Sequence, residues 1–220
     1  MSTLSQQVDG FLQELMQRLG DTSTEPPPVQ AEIARLKSDW PDFGRQIKAA
    51  TPLRLPACDY LDEALTSGKS GPESGLVSAI ADFSPALHWT YSYPPSPHRH
   101  DLSARIAFCQ IVGNRGLLAS DRVHIGLTLL APDTAYPPHA HPATEVYLVI
   151  AGTALWQAGA DVVAPRLPGS IVLHPSNVAH AMTTKSEPLL AIWTWRGDLI
   201  SPSVYSDTYH NSPALNPFLS

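Results

Sequence analysis

Cysteine is nearly absent. The 220 residues hold two, Cys58 and Cys109, too few and too far apart for a disulfide framework. Cys109 sits inside the apolar run 106–112, where a buried and inert thiol is expected, and neither cysteine reads as a metal ligand. Long apolar tracts are also missing: none reaches the roughly eighteen residues of a membrane-spanning helix. The N-terminus lacks the basic-then-apolar pattern of a secretory signal, so a cytoplasmic protein is expected. A basic surplus is missing too. The formal charge is −6, the isoelectric point is near 5.8, and Lys and Arg are scattered, which leaves no footprint for nucleic acid. The G-K-S at residues 68–70 has no full phosphate-binding pattern before it and is not a nucleotide site. With 43% hydrophobic residues, the chain can build one sizeable domain and an appendage.

What is present is a dense run of polar functional groups at residues 136–152, Y-P-P-H-A-H-P-A-T-E-V-Y-L-V-I-A-G. Imidazole and carboxylate bind first-row transition metals at neutral pH, and His139 and His141, two residues apart, point to one side of an extended chain. Pro142 cannot continue a ladder, so the chain is expected to turn at 142–144 and re-enter as a second strand. On that strand Glu145, Tyr147 and Val149 share a face. If it is the face of the histidines, Glu145 is a third ligand and Tyr147 stands roughly 6–7 Å further along, with Gly152 closing the strand. A fourth ligand comes from residues 169–184, G-S-I-V-L-H-P-S-N-V-A-H-A-M-T-T, where an apolar run and a turn at 175–177 precede His180.

These two stretches resemble the motifs of the cupin superfamily. The first, H-x-H, three or four residues, Glu, six residues and Gly, is matched by His139, His141, Glu145 and Gly152. The second, Gly, five residues, P-x-G, two residues and His, is matched by Gly169, Pro175 and His180. Asp133 stands where the first motif opens with Gly, Asn177 replaces the Gly of P-x-G, and Thr184 replaces a terminal Asn. Asn tolerates positive φ better than most residues, so the turn survives its substitution.

The rest of the chain fits that resemblance. Helical spacing over 4–19, 31–40, 60–66 and 76–87, with a polar Pro-rich connection at 22–28 and a Gly-bounded loop at 68–75, predicts a helical N-terminal segment over residues 1–87. Trp89-Thr90-Tyr91-Ser92-Tyr93 alternates as a half-buried strand does. After the P-P-S-P loop at 94–97, apolar runs at 106–112, 123–130, 145–150, 153–156, 161–163, 171–173 and 189–195 predict an antiparallel barrel or jelly-roll over 88–205, with a tail at 206–220. The fold class is therefore mainly β: a single cupin preceded by helices that pack on it. His98-Arg99-His100 reads as a solvated loop, and His124 and His174, in or at strands outside the motif, are expected to be structural.

The pattern Tyr136, His139, His141, Glu145, Tyr147 and His180 is similar to that of the cupin-type dimethylsulfoniopropionate (DMSP) lyases, which split a sulfonium zwitterion into dimethyl sulfide and acrylate. The resemblance implies His139, His141, Glu145 and His180 as ligands of one divalent transition metal, Tyr147 as base, and Tyr136 as an assisting group in the substrate pocket. The ligands favour no single metal among Zn, Fe, Mn, Ni and Co. β-Elimination requires removal of a weakly acidic proton next to a carboxylate, and a nearby cation that favours phenolate makes Tyr147 able to take it. Tyr93, Trp156, Trp193 and Trp195 offer aromatic faces to the sulfonium end of the zwitterion. A dioxygenase or isomerase using the same four ligands, and a non-catalytic small-molecule-binding cupin, stay open as alternatives. No nucleic-acid or membrane partner is expected, and monomer and homodimer are both compatible with the sequence.

Overall fold

The computed structural model describes residues 2–40, 46–49, 51–93 and 102–206. The P-P-S-P loop, His98-Arg99-His100, His210 and the tail beyond 206 lie outside the described residues. Four helices come first: α1 (Thr3–Arg18), α2 (Pro27–Ser38), α3 (Leu61–Gly68) and α4 (Ser74–Phe83), with short 3₁₀ turns at Pro56–Tyr60 and Ser84–Ala86. In α1 the Ser2 hydroxyl accepts from the Ser5 N–H, and Val8, Phe11, Leu12 and Leu15 form the buried stripe. α2 starts at Pro27, inside the expected connection, because a proline in the first helical turn gives up an N–H that has no partner there anyway. None of these helices is long and apolar enough to cross a membrane.

Among the described residues eleven strands follow: β1 (Trp89–Thr90), β2 (Ile106–Val112), β3 (Val123–Leu130), β4 (Ala135–Ala140), β5 (Thr144–Ala151), β6 (Ala154–Ala158), β7 (Ala164–Arg166), β8 (Ile171–His174), β9 (His180–Thr184), β10 (Leu189–Arg196) and β11 (Val204–Tyr205). They form two antiparallel sheets, one ordered β1-β2-β3-β10-β5-β8 and the other β11-β4-β9-β6-β7. The fold is the cupin jelly-roll in two facing sheets. Several strands differ from the expected runs. The 89–93 strand ends at Thr90, the 161–163 strand gives way to β7 at 164–166 because the turn closed by the Asp161 N–H on the Ala158 carbonyl delays re-entry into the sheet, and β9 and β11 fall where no apolar run marks a strand.

The six-stranded sheet is buried on both faces, and this explains why its strands read as continuous apolar runs. Val146, Leu148 and Ile150 of β5 join a core with Leu12 and Leu15 of α1, Leu61 and Leu65 of α3, and Ile80 and Phe83 of α4. The alternate residues Tyr147 and Val149 join Tyr136, Trp156, Met182, Ala191 and Trp193 in the space between the sheets. Period two thus divides β5 into a face that holds the helices and a face that holds the site. α2 is tied to the end of β10 by Arg196, whose Nε donates to buried Glu32 at 2.8 Å.

Both non-glycine residues with positive φ among the described ones are motif departures, Asp133 at 49° and Asn177 at 62°. The Asn177 N–H donates to the carbonyl of His141 at 2.9 Å, so this turn is anchored to the other motif. A β-branched residue in that conformation costs about 1–2 kcal/mol. Asn177→Val is therefore expected to lower stability by about that amount in urea unfolding, while Asn177→Gly stays within about 1 kcal/mol of the parent; equal stability of all three proteins would contradict the assignment.

Candidate metal centre

Strand register assembles the cluster. In the first sheet Glu145 of β5 is paired with Trp195 of β10 on one side and His174 of β8 on the other. In the second, His139 of β4 is paired with His180 of β9. Pro137 and Pro138 interrupt the ladder between Tyr136 and His139, where the β4–β9 register shifts. His141 follows β4 and faces the same interior. One ligand atom from each of His141, Glu145 and His180 lies within 4.8 Å of the other two, and all three residues are buried. The His139 ring packs on that of His180 at 4.1 Å.

The three motif histidines share one tether. The Nδ1–H of His139 donates to the Pro137 carbonyl, that of His141 to Ala143 and that of His180 to Val178, each at 2.9 Å. In every case the carbonyl is two residues away and the Nε2 atom is left for the cluster. This backbone bond fixes tautomer and ring orientation, as it does in histidine ligands generally. The Nε2 of His180 is buried and makes no hydrogen bond among the described residues, although Glu145 Oε2 lies 3.3 Å away. His141, Glu145 and His180 offer two Nε2 donors and a carboxylate of the kind that suits a divalent transition metal, whereas His139, packed on His180, stands outside that close group.

Electrostatics describe a site arranged around a charge. Burial pushes the Glu145 carboxyl upward, but hydrogen bonds from His141 and His174 and the close approach of His180 outweigh it and hold the group well below the usual carboxylate range. Burial pulls His141 down, and Glu145, 3.1 Å from its Nε2, more than restores it, so the net shift is upward. Glu145 thus favours the protonated form of His141. His139 is driven well down by burial and by His180, and His174 to about 4 by burial and by His180.

The aromatic residues surround this cluster. Tyr136 stacks on His139 at 3.9 Å, and its hydroxyl makes a short hydrogen bond with that of Tyr93. Tyr147 is buried beside the cluster, its hydroxyl 3.3 Å from Thr128 Oγ1. Trp156 meets the Tyr147 ring edge-on at 4.9 Å. Trp193 is the cross-strand partner of Tyr147, and its ring lies 5.6 Å from that of Trp195. Trp195 donates its indole N–H to Glu145 Oε1 at 2.7 Å and lays its ring on His141 at 4.3 Å. Burial, and next the charge of Glu145, raises the Tyr147 phenol well above its ordinary value.

His124 lies on β3 as the cross-strand partner of Trp195, its Nδ1 3.4 Å from the Gln110 amide. His174 is not apart from the site. Its Nδ1 lies 3.3 Å from Glu145 Oε2 and its ring stacks on His180 at 3.8 Å. Period two from Val172 is the available signal, but it appears only if the expected strand 171–173 is extended one residue to His174. Tyr205, in the two-residue strand β11, and Ser203, just before it, were equally hidden. There Tyr205 stacks on Tyr93 at 4.0 Å and Ser203 bonds its hydroxyl at 2.8 Å.

Comparison with known proteins identifies the family. A family model described as dimethylsulfoniopropionate lyase matches residues 31–191. The chain is 33% identical over 144 residues to a putative dimethylsulfoniopropionate lyase, DddL, of Cereibacter sphaeroides, covering 64% of this chain and 60% of that protein. It is 27% identical over 196 residues to the dimethylsulfoniopropionate lyase DddQ of Ruegeria pomeroyi, covering 88% and 92%. The crystal structure of the latter superposes with a TM-score of 0.67 at 26% identity over 89% of this chain and 96% of that one. A chain from the crystal structures of the DMSP lyases RdDddP and RnDddQII shares the fold with a TM-score of 0.73, at 23% identity over 93% and 100%. With residues 31–191, most of its length, inside the family model, the chain belongs to the dimethylsulfoniopropionate lyase family.

Proposed function

We propose that this protein is a metal-dependent carbon–sulfur lyase that cleaves dimethylsulfoniopropionate to dimethyl sulfide and acrylate, with Tyr147 as the general base. The observation that carries this reading is the placement of the Tyr147 phenol on the Glu145 face of β5, one pleat beyond a ligand set fit for a divalent ion. Its relatives DddL and DddQ, named for the same activity, support it.

When bound by His139, His141, Glu145 and His180, a divalent ion would supply a Lewis acid for the substrate carboxylate and offset the charge of Glu145. Tyr147, as phenolate, takes a proton from the carbon next to that carboxylate. The C–H electron pair forms the carbon–carbon double bond, the C–S bond breaks, and dimethyl sulfide leaves as a neutral molecule. Tyr147 is left as a phenol, and its proton returns to solvent before the next turnover. Thr128 holds the Tyr147 hydroxyl in place, and Tyr136, hydrogen-bonded to Tyr93, forms the wall beside His139. The faces of Tyr93, Trp156 and Trp193 are assigned to the sulfonium methyl groups, which aromatic rings attract when desolvated. Trp195, assigned to the same pocket, has its N–H committed to Glu145.

Headspace gas chromatography of metal-loaded parent and Tyr147→Phe tests the base. The parent is expected to release dimethyl sulfide, and the folded variant, with equal metal content, to lose about 10²- to 10⁴-fold in rate. A variant as active as the parent would remove Tyr147 from the mechanism.

The pH dependence follows from the same groups. The Tyr147 pKa is raised, so its phenolate fraction grows with pH, and kcat/KM is expected to climb from pH 6 to 9 at constant metal occupancy; a flat profile would count against a titrating tyrosine. Metal binding must also displace the proton that Glu145 stabilises on His141. Affinity is therefore expected to be weaker at pH 6 than at pH 8 in competition with a chelator, and unchanged affinity would argue that no ligand is protonated in the free site.

A further inference from the structure

The four ligand-type residues do not by themselves account for how Glu145 is held. A carboxylate on two rotatable bonds can present either oxygen, or both, to an ion. Here the two oxygens have different surroundings. Oε1 accepts the indole N–H of Trp195 at 2.7 Å. Oε2 lies 3.1 Å from His141 Nε2, 3.3 Å from His180 Nε2 and 3.3 Å from His174 Nδ1. Both outside contacts come from register, since Trp195 and His174 are the cross-strand neighbours of Glu145 on β10 and β8.

We propose that Trp195 and His174 are positioning residues that fix the Glu145 carboxylate, so that it binds a divalent ion through Oε2 alone while Trp195 retains Oε1. This rests on the metal reading above. It separates His174 from the other three histidines, whose Nδ1 atoms are tied to backbone carbonyls two residues away. The Nδ1 of His174 faces the carboxylate instead, and its ring is stacked between His180 at 3.8 Å and Trp156 at 5.7 Å. Once an ion is present, the Nε2 atoms of His141 and His180 turn their lone pairs to it. Trp195 and His174 are then the side-chain N–H donors left on the carboxylate, and they define its rotation.

Outer-shell partners of metal ligands are typically worth 10- to 100-fold in affinity. The test is titration of cobalt(II) into full-length protein against a chromophoric chelator, with the visible absorption of the bound cobalt as a second readout of coordination geometry. Trp195→Phe keeps a ring on His141 and deletes only the N–H. It and His174→Ala are each expected to weaken cobalt binding about 10- to 100-fold and to change the visible bands. His174→Asn, whose amide nitrogen sits where Nδ1 was, is expected to return affinity to within several-fold of the parent. His174→Gln, whose amide reaches past that position, is not, and this contrast decides the role of His174 if the alanine variant fails to fold. Parent-like affinity and bands in Trp195→Phe and His174→Ala would overturn the assignment while leaving the metal centre intact. Failure of the parent itself to bind cobalt would overturn the metal reading, and the assignment with it.

Discussion

A carboxylate buried between two sheets is the constraint on which the rest of this structure depends. Glu145 is 2% exposed, and an isolated charge in such a place is prohibitive unless it is paired and hydrogen-bonded. The chain meets that requirement from both sheets. β8 and β10 bring His174 and Trp195 to its flanks, and β9 and the end of β4 bring His180 and His141 to its front. Two of the histidines that satisfy the charge, His141 and His180, also suit a metal, so the stability of the interior and the capacity of the site both depend on Glu145.

This arrangement needs a rigid frame, and β5 supplies it by being buried on both faces. The residues that alternate with Glu145 and Tyr147 pack under α1, α3 and α4. Burial there leaves β5 little freedom to slip, because a shift of one residue would send Val146 and Leu148 into the cluster and Glu145 into the helices. The helices therefore contribute to function by fixing register rather than by offering ligands. On the other side, β11 lies along β4, and Tyr205 pairs with His139. A short strand thus places aromatic rings against Tyr93 and closes one wall of the site.

Much of this was legible in the sequence because it is encoded locally. His139, His141, Glu145 and Tyr147 lie within nine residues, and period two alone puts Glu145, Tyr147 and Val149 on one face. The turn at Asn177 was legible as well, since the motif asks for a residue that accepts positive φ and Asn is the best non-glycine choice. The cupin class followed from two motifs at their spacings. What escaped was encoded only in pairing. His174 acquires meaning as the neighbour of Glu145 across β5 and β8, 29 residues away in sequence, and its own surroundings offer only the period-two spacing from Val172, which does not say what it faces. Trp195 reads as an aromatic face until register sets its indole N–H on the carboxylate. Strand β11 has one apolar and one aromatic residue, too short for any periodicity, and exists because β4 offers an open edge. Helix α2 began earlier than its apolar pattern because two prolines are permitted where the helix has no N–H to lose.

The account stands on one claim: these four motif side chains, and not their neighbours, form a single metal-binding centre. The most direct measurement is a crystal structure of protein loaded with one equivalent of zinc, with diffraction recorded on both sides of the zinc absorption edge. The account predicts one anomalous peak in the cluster, about 2.0–2.2 Å from the Nε2 atoms of His139, His141 and His180 and from one oxygen of Glu145. A peak bonded to His174 in place of His139, or no peak between the sheets at all, would contradict it.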